Sequence, residues 1–141
     1  MKRLTVDASV AVKWIFPDRQ NEPHADRALD LLADIRGGRV EVVQPVHWLA
    51  EVAAVVTRLA PAISREAVEL LYSMELPTLN DPEVYFHACG LADELDHHVF
   101  DTLYHAVALS FADGALVTAD DRYARKAGRV GRLERLRDYH A

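Results

Sequence analysis

The sequence predicts an α/β fold in which a mostly parallel sheet carries helices on both faces. Two observations lead there. Short apolar runs of strand length alternate along the chain with longer stretches of helical spacing, and Pro or Gly stands at most of the junctions. Half of the 141 residues are hydrophobic, enough to bury a core, so residues 1–141 are expected to form a single domain that needs no disulfide.

Taken in order, Arg3 to Val6 reads as a short strand, and the chain turns at Asp7 into a helical run from Ala8 to Trp14 that Pro17 stops. A second, amphipathic helix is capped by Asn21, with Glu22 and Pro23 in its first turn. Its apolar positions are Ala25, Ala28, Leu29, Leu32 and Ile35, and Gly37-Gly38 ends it. Val40 to Gln44 reads as a strand ended by Pro45. From His47 to Ala60 the spacing of Trp48, Val52, Val55 and Leu59 is that of a packed helix, which Pro61 terminates. Ser64 caps a helix to about Glu75, Pro77 to Asn80 is a short strand, and Asp81-Pro82 opens a helix to about Asp96. Phe100 to Ala112 is helical, Gly114 breaks it, Ala115 to Thr118 is a buried strand, and Arg122 to Ala127 forms a last helix. The pattern after Gly128 is ambiguous.

The lone Cys89 has no partner for an internal disulfide, and its neighbourhood from Phe86 to Leu91 reads as the buried side of a helix, so it is expected to be a core thiol. Near Met1, Lys2 and Arg3 lead into a short apolar run that Asp7 interrupts, unlike a signal peptide. No stretch approaches membrane-spanning length, and a reducing cytoplasm is the expected location. The formal net charge of −6 argues against binding a polyanion by bulk attraction. Charge placement matters more, because Arg122, Arg125, Lys126, Arg129, Arg132, Arg135 and Arg137 crowd the tail with Glu134 as the acid among them. Arg122, Arg125, Lys126 and Arg129 fall on one helical face, provided the turn continues through Gly128. They form a candidate phosphate-binding strip beside Asp120, against the plain alternative of a solvated surface.

In α/β sheets ligands collect beyond the carboxyl ends of strands, which draws attention to Asp7 and Asp120. Asp7 follows the first strand in Val6-Asp7-Ala8-Ser9, where the Ser9 hydroxyl is placed to orient it; as a lone acid it would be a helix cap. Glu51 interrupts the apolar run Trp48 to Val56 and lies at the edge of the helix stripe. An ordinary surface ion pair needs a cation three or four residues away, and His47 alone qualifies. Asp101 opens its helix, where the helix dipole by itself accounts for an acid. Asp120 follows the buried strand, with Thr118 two residues earlier favouring it over Asp121 as the inward acid and Asp121 left to cap the next helix. Converging carboxylates either raise each other's pKa or bind a hard cation, and oxygen ligands suit Mg²⁺ or Mn²⁺. Such a metal activates water and stabilises charge on a phosphodiester.

In these pieces the chain resembles the PIN-domain family, and within it the VapC-type toxins, over nearly its whole length. The matching segments are Val6-Asp7-Ala8-Ser9-Val10, Glu51 in its apolar helix, Phe100 to Ala108, and Leu116-Val117-Thr118-Ala119-Asp120. The resemblance implies a three-layer α/β/α fold and a magnesium-dependent endoribonuclease that leaves 5′-phosphate and 3′-hydroxyl ends. Asp7 and Asp101 would be the principal metal ligands, Glu51 and Asp120 would complete the site, and Ser9 and Thr118 would support it. A homodimer and an inhibitory antitoxin protein are implied as partners, with RNA as substrate. Many relatives have Tyr before the third acid and Ala after it, where this chain has Phe100 and Thr102.

Four rival readings start from the same residues. His97, Asp101 and His105 are spaced by four, which would suit zinc or iron if the helix began early enough. A dehalogenase-like phosphatase needs a second Asp where Ser9 stands, and a phosphoacceptor receiver domain lacks its acidic pair and its Lys. The non-enzymatic alternative is a PIN-like domain that only binds RNA or protein.

Overall fold

Strand β1 (Lys2–Val6) lies at the centre of a parallel sheet, flanked by β2 (Val40–Val42) and β5 (Gly114–Thr118), with β6 (Leu133–Arg135) at the edge beyond β5. The computed structural model describes residues 1–18 and 23–140. The strand order is β2-β1-β5-β6, with Leu4 opposite Val42 on one side and Ala115 on the other, and Leu116 opposite Leu133. Leu4, Val6, Leu116 and Val117 are buried, as expected of central parallel strands covered on both faces.

Helix α1 (Ala8–Ile15) follows β1 directly, and α2 (Ala25–Arg36) leads back to β2. Asn21 and Glu22, read as the start of the second helix, lie outside the described residues. Pro23 precedes that helix instead of sitting in its first turn, because His24 takes a left-handed conformation (φ 62°) immediately before Ala25. The expected strand from Val40 to Gln44 is split. After β2 the chain leaves the main sheet, and β3 (Gln44–Pro45) pairs with β4 (Thr78–Leu79) as a separate two-stranded ribbon.

Between β3 and β4 run α3 (Trp48–Leu59) and α4 (Ser64–Tyr72), joined by a 3₁₀ turn over Pro61–Ile63. Ser64 does not cap α4 as expected; its hydroxyl bonds back to the Pro61 carbonyl at 2.9 Å. Helix α5 (Pro82–Leu95) is capped by Asp81, and α6 (Val99–Leu109) packs along it and onto β1 and β5. Cys89 is exposed, contrary to the expected core thiol. The buried face of α5 is Val84, Ala88, Leu91 and Leu95, a helical stripe that leaves the residue after Ala88 outside it.

Gly114 opens β5 where a side chain has no room: a Cβ there would lie 2.0 Å from the Ala108 carbonyl oxygen at the end of α6. Beyond α7 (Asp121–Ala127) the ambiguous tail forms β6 and a short 3₁₀ turn, and Tyr139 closes the chain onto α2 through a 2.7 Å hydrogen bond to Asp34. No helix among the described residues is long and apolar enough to cross a membrane.

The connections from β1 run toward β2 on one side, while β5 and β6 lie on the other. The sheet therefore reverses its direction of winding between β1 and β5. In parallel sheets a crevice opens at such a switch point, outside the carboxyl ends of the two strands. Asp7 ends β1 and Asp120 follows β5.

Candidate active site

The end of β1 is held from both sides. The Asp7 amide donates to the Val117 carbonyl at 3.0 Å, and the buried Gln44 side chain bonds both polar groups of Val6, accepting from its amide at 2.8 Å and donating to its carbonyl at 2.9 Å. Gln44 thus replaces the strand bonds lost when the chain departs after β2. The Asp7 carboxylate caps α1, and three donors meet on its Oδ2: the Ser9 amide at 3.1 Å, the Ser9 hydroxyl at 2.5 Å and the Thr118 hydroxyl at 3.4 Å. Ser9 Oγ accepts from the Ala119 amide at 3.0 Å, so one hydroxyl ties the turn after β1 to the turn after β5.

Asp7 is 9% exposed, and burial pushes its carboxyl up to about 6 against the Ser9 hydrogen bonds, with Asp101 and Glu51 adding repulsion. Those carboxylates come from α6 and α3. Glu51 accepts from the Tyr104 hydroxyl at 2.6 Å and pairs with His47 Nε2 at 3.2 Å, while the same nitrogen donates to the Phe100 carbonyl at 2.8 Å. Burial opposes a charge on His47, yet its contacts with Glu51 and the Phe100 carbonyl raise its pKa above the ordinary value. The Tyr104 phenol is fully buried among Glu51, Asp7 and Asp101, and desolvation with those charges keeps it protonated.

Asp101 stands in the first turn of α6 and accepts from His97 Nε2 at 2.8 Å. Asp120 caps α7 by accepting from the Tyr123 amide at 3.1 Å, and its own amide donates to Thr118 Oγ1 at 3.1 Å. The expected division of labour between the neighbouring acids does not hold: Asp120 is both the cap and the inward acid, while Asp121 is exposed and pairs with Arg135 at 2.7 Å. One ligand atom each from His97, Asp101 and Asp120 lies within 4.8 Å of the others.

The residues singled out in the sequence thus gather at the switch point in two linked groups. Asp7 with Ser9 and Thr118 joins Glu51 and Asp101 around Tyr104, and Asp101 is shared with His97 and Asp120. The alignment of His97, Asp101 and His105 fails at its last member. His105 is buried, with Nδ1 at 2.9 Å from the Tyr123 hydroxyl and Nε2 at 2.9 Å from the Gly131 carbonyl, and burial lowers its pKa. Both of its nitrogens are occupied in the core: one turn of α6 beyond Asp101, the ring is taken up by Tyr123 of α7 and by the Gly131 carbonyl.

Sequence reasoning missed Gln44, Tyr104 and the contact of His47 with Phe100, although it offered His47 as the one cation for Glu51, and the two do pair. A Gln at the end of an apolar strand and a Tyr three residues after Asp101 are the signals that were there to read, whereas the pairing of His47 with the Phe100 carbonyl has no local signature.

Of the basic strip, Arg122, Arg125 and Arg129 are exposed and Lys126 is half-buried. Arg122 and Lys126 line a cleft of about 160 Å³ with Asp96, His97 and His98, directly beside the acids. Helix α7 ends at Ala127; Arg129 lies beyond it and turns toward Glu94, 4.0 Å away, so the strip is shorter than a continuous helix would make it.

The donor set is carboxylate oxygen with one imidazole, and a buried carboxyl is held there at an energetic cost that a bound cation relieves, so these residues fit a divalent metal. Residues 4–129 match the family model described as PIN domain. Among solved structures, VapBC2 from Rickettsia felis, bound to a DNA fragment from their promoter, aligns with a TM-score of 0.65 at 18% sequence identity. The alignment covers 94% of this chain and 98% of that one, a likeness of fold. A search of curated proteins finds no match.

Proposed function

Since this chain belongs to the PIN-domain family, matched over residues 4–129, we propose that it is a metal-dependent endoribonuclease and the toxin of a toxin–antitoxin pair. The observation that carries the reading is that ligand atoms of Asp101, Asp120 and His97 lie within 4.8 Å of one another at the strand ends, with Asp7 closing β1 beside them and Glu51 held by the Tyr104 hydroxyl of the helix that carries Asp101. Asp7 and Asp101 hold Mg²⁺, for which Mn²⁺ can substitute, and Glu51 and Asp120 complete the acidic site. Bound there, the cation supplies positive charge for the phosphodiester in its transition state and lowers the pKa of water.

The chain's own residues do the positioning. Ser9 and Thr118 hold the Asp7 oxygen in place, Tyr104 and His47 hold Glu51, and the cleft beside Arg122 and Lys126 gives an RNA phosphate a path past the acids. The same reading includes a small antitoxin and a homodimer. An apolar groove of about 360 Å³ between α3 and α4, lined by Val46, Trp48, Leu49, Leu71 and Tyr72, supports a helical segment of a partner on the helix that carries Glu51. Incubation of the purified chain with cellular RNA tests the enzymatic reading: cleavage is expected with Mg²⁺ or Mn²⁺, absent with chelator, and absent in Asp7→Asn and Asp101→Asn. Equal cleavage by both variants and wild type removes it.

A further inference from the structure

We infer that His97 is a nitrogen ligand of the metal, which makes the site prefer Mn²⁺ to Mg²⁺. The inference rests on the metal-site reading above and adds to it a residue outside the four acids.

His97 Nε2 lies 2.8 Å from Asp101 Oδ2, and a carboxylate oxygen of Asp120 falls within 4.8 Å of both residues' ligand atoms. Around a cation with bonds of about 2.1 Å, neighbouring octahedral ligands are about 3 Å apart and opposite ones about 4.2 Å, so these atoms need little movement to share one ion. The ring is fixed in advance. Its side chain is 6% exposed, and it packs edge-on against Tyr123 with centroids 4.9 Å apart. It also stands where the chain leaves α5 through Asp96 in a left-handed conformation (φ 49°), which turns it toward the first turn of α6.

An imidazole changes which ion such a site selects. Mg²⁺ favours oxygen and keeps its waters, whereas transition-metal cations accept nitrogen readily. Metal on Nε2 leaves the ring proton on Nδ1, which faces Lys126 Nζ at 3.4 Å. Lys126 then gives up the ring and keeps its 2.6 Å bond to the Asp96 carbonyl.

The test is spin-echo electron paramagnetic resonance of the full chain loaded with Mn²⁺, together with titrations of Mn²⁺ and Mg²⁺ on wild type and His97→Gln. Nitrogen modulation is expected in wild type and lost in the variant. Mn²⁺ affinity should drop about 10- to 100-fold in His97→Gln while Mg²⁺ affinity changes by less than about threefold. Bound Mn²⁺ without nitrogen modulation, or modulation that survives His97→Gln, overturns the inference and leaves the carboxylate site standing; it would make His97 a hydrogen-bond donor that only orients Asp101. Failure of wild type to bind either ion overturns this inference and the metal-site reading together. The wild-type spectrum decides the first point whether or not the variant folds.

Discussion

Replacing Asp7 by Asn should stabilise the metal-free protein at neutral pH. All three donors to the side chain converge on Oδ2, so an Asn that puts its carbonyl oxygen there keeps them. What the substitution removes is the charge. Burial raises the Asp7 carboxyl from an ordinary 3.8 to about 6. Below the lower value it is protonated both folded and unfolded, and costs nothing. As pH rises through the higher one, the folded state must carry a charge that its surroundings disfavour, so stability falls across that window and is flat above it. The full effect is about 3 kcal/mol, or about 10 °C in melting temperature for a chain of this size, as an upper bound. Calorimetry in chelator at pH 4, 6 and 8 measures it: the variant should melt higher than wild type at pH 8, and the gap should close toward pH 4. Saturating Mg²⁺ should raise wild type and leave the variant unmoved. A variant that melts at or below wild type at pH 8, or a gap independent of pH, refutes the reasoning.

The other predictions concern the residues that hold the site. Gln44→Ala strips partners from the buried amide and carbonyl of Val6 and should cost about 2 to 4 kcal/mol in urea unfolding; an unchanged midpoint would show that water replaces the side chain. Tyr104→Phe removes a hydrogen bond to Glu51 that His47 only partly replaces. RNA cleavage should slow about tenfold at saturating substrate with little change in KM, and an unaltered kcat would show that Glu51 needs no such support. Arg122→Gln with Arg125→Gln should weaken RNA binding across sequences and reduce the slope of log affinity against log salt by about 1.4, as expected for two lost contacts to a single strand; an unchanged slope would move the RNA path away from α7.

The parallel sheet and both strand-end acids were legible because β1 runs from charged residues into the short stretch Leu4 to Val6, β5 is apolar from Ala115 to Val117, and a residue just after such a strand has a predictable place. Glu51 stood out because it interrupts an apolar helix. What escaped the sequence depends on contacts between segments distant along the chain. Gln44 finishes β1 from 38 residues away, and Tyr104 reaches Glu51 across a separation of 53. Cys89 and the start of α2 were misplaced for a local reason: an apolar neighbourhood does not give helix phase, and a left-handed residue such as His24 has no clear signature. Between Asp120 and Asp121 the backbone decides, since Asp120 is extended (φ −84°, ψ 99°) and so takes the capping position and the inward one together.

The central claim is that these four acids cut RNA with a divalent metal, and the chemistry of the cut ends tests it most directly. With Mg²⁺ or Mn²⁺, fragments should carry 5′-phosphate and 3′-hydroxyl termini and should vanish in the Asp101→Asn variant purified in parallel. Fragments ending in 2′,3′-cyclic phosphate, formed without metal and equally by the Asp101→Asn variant, would contradict the account.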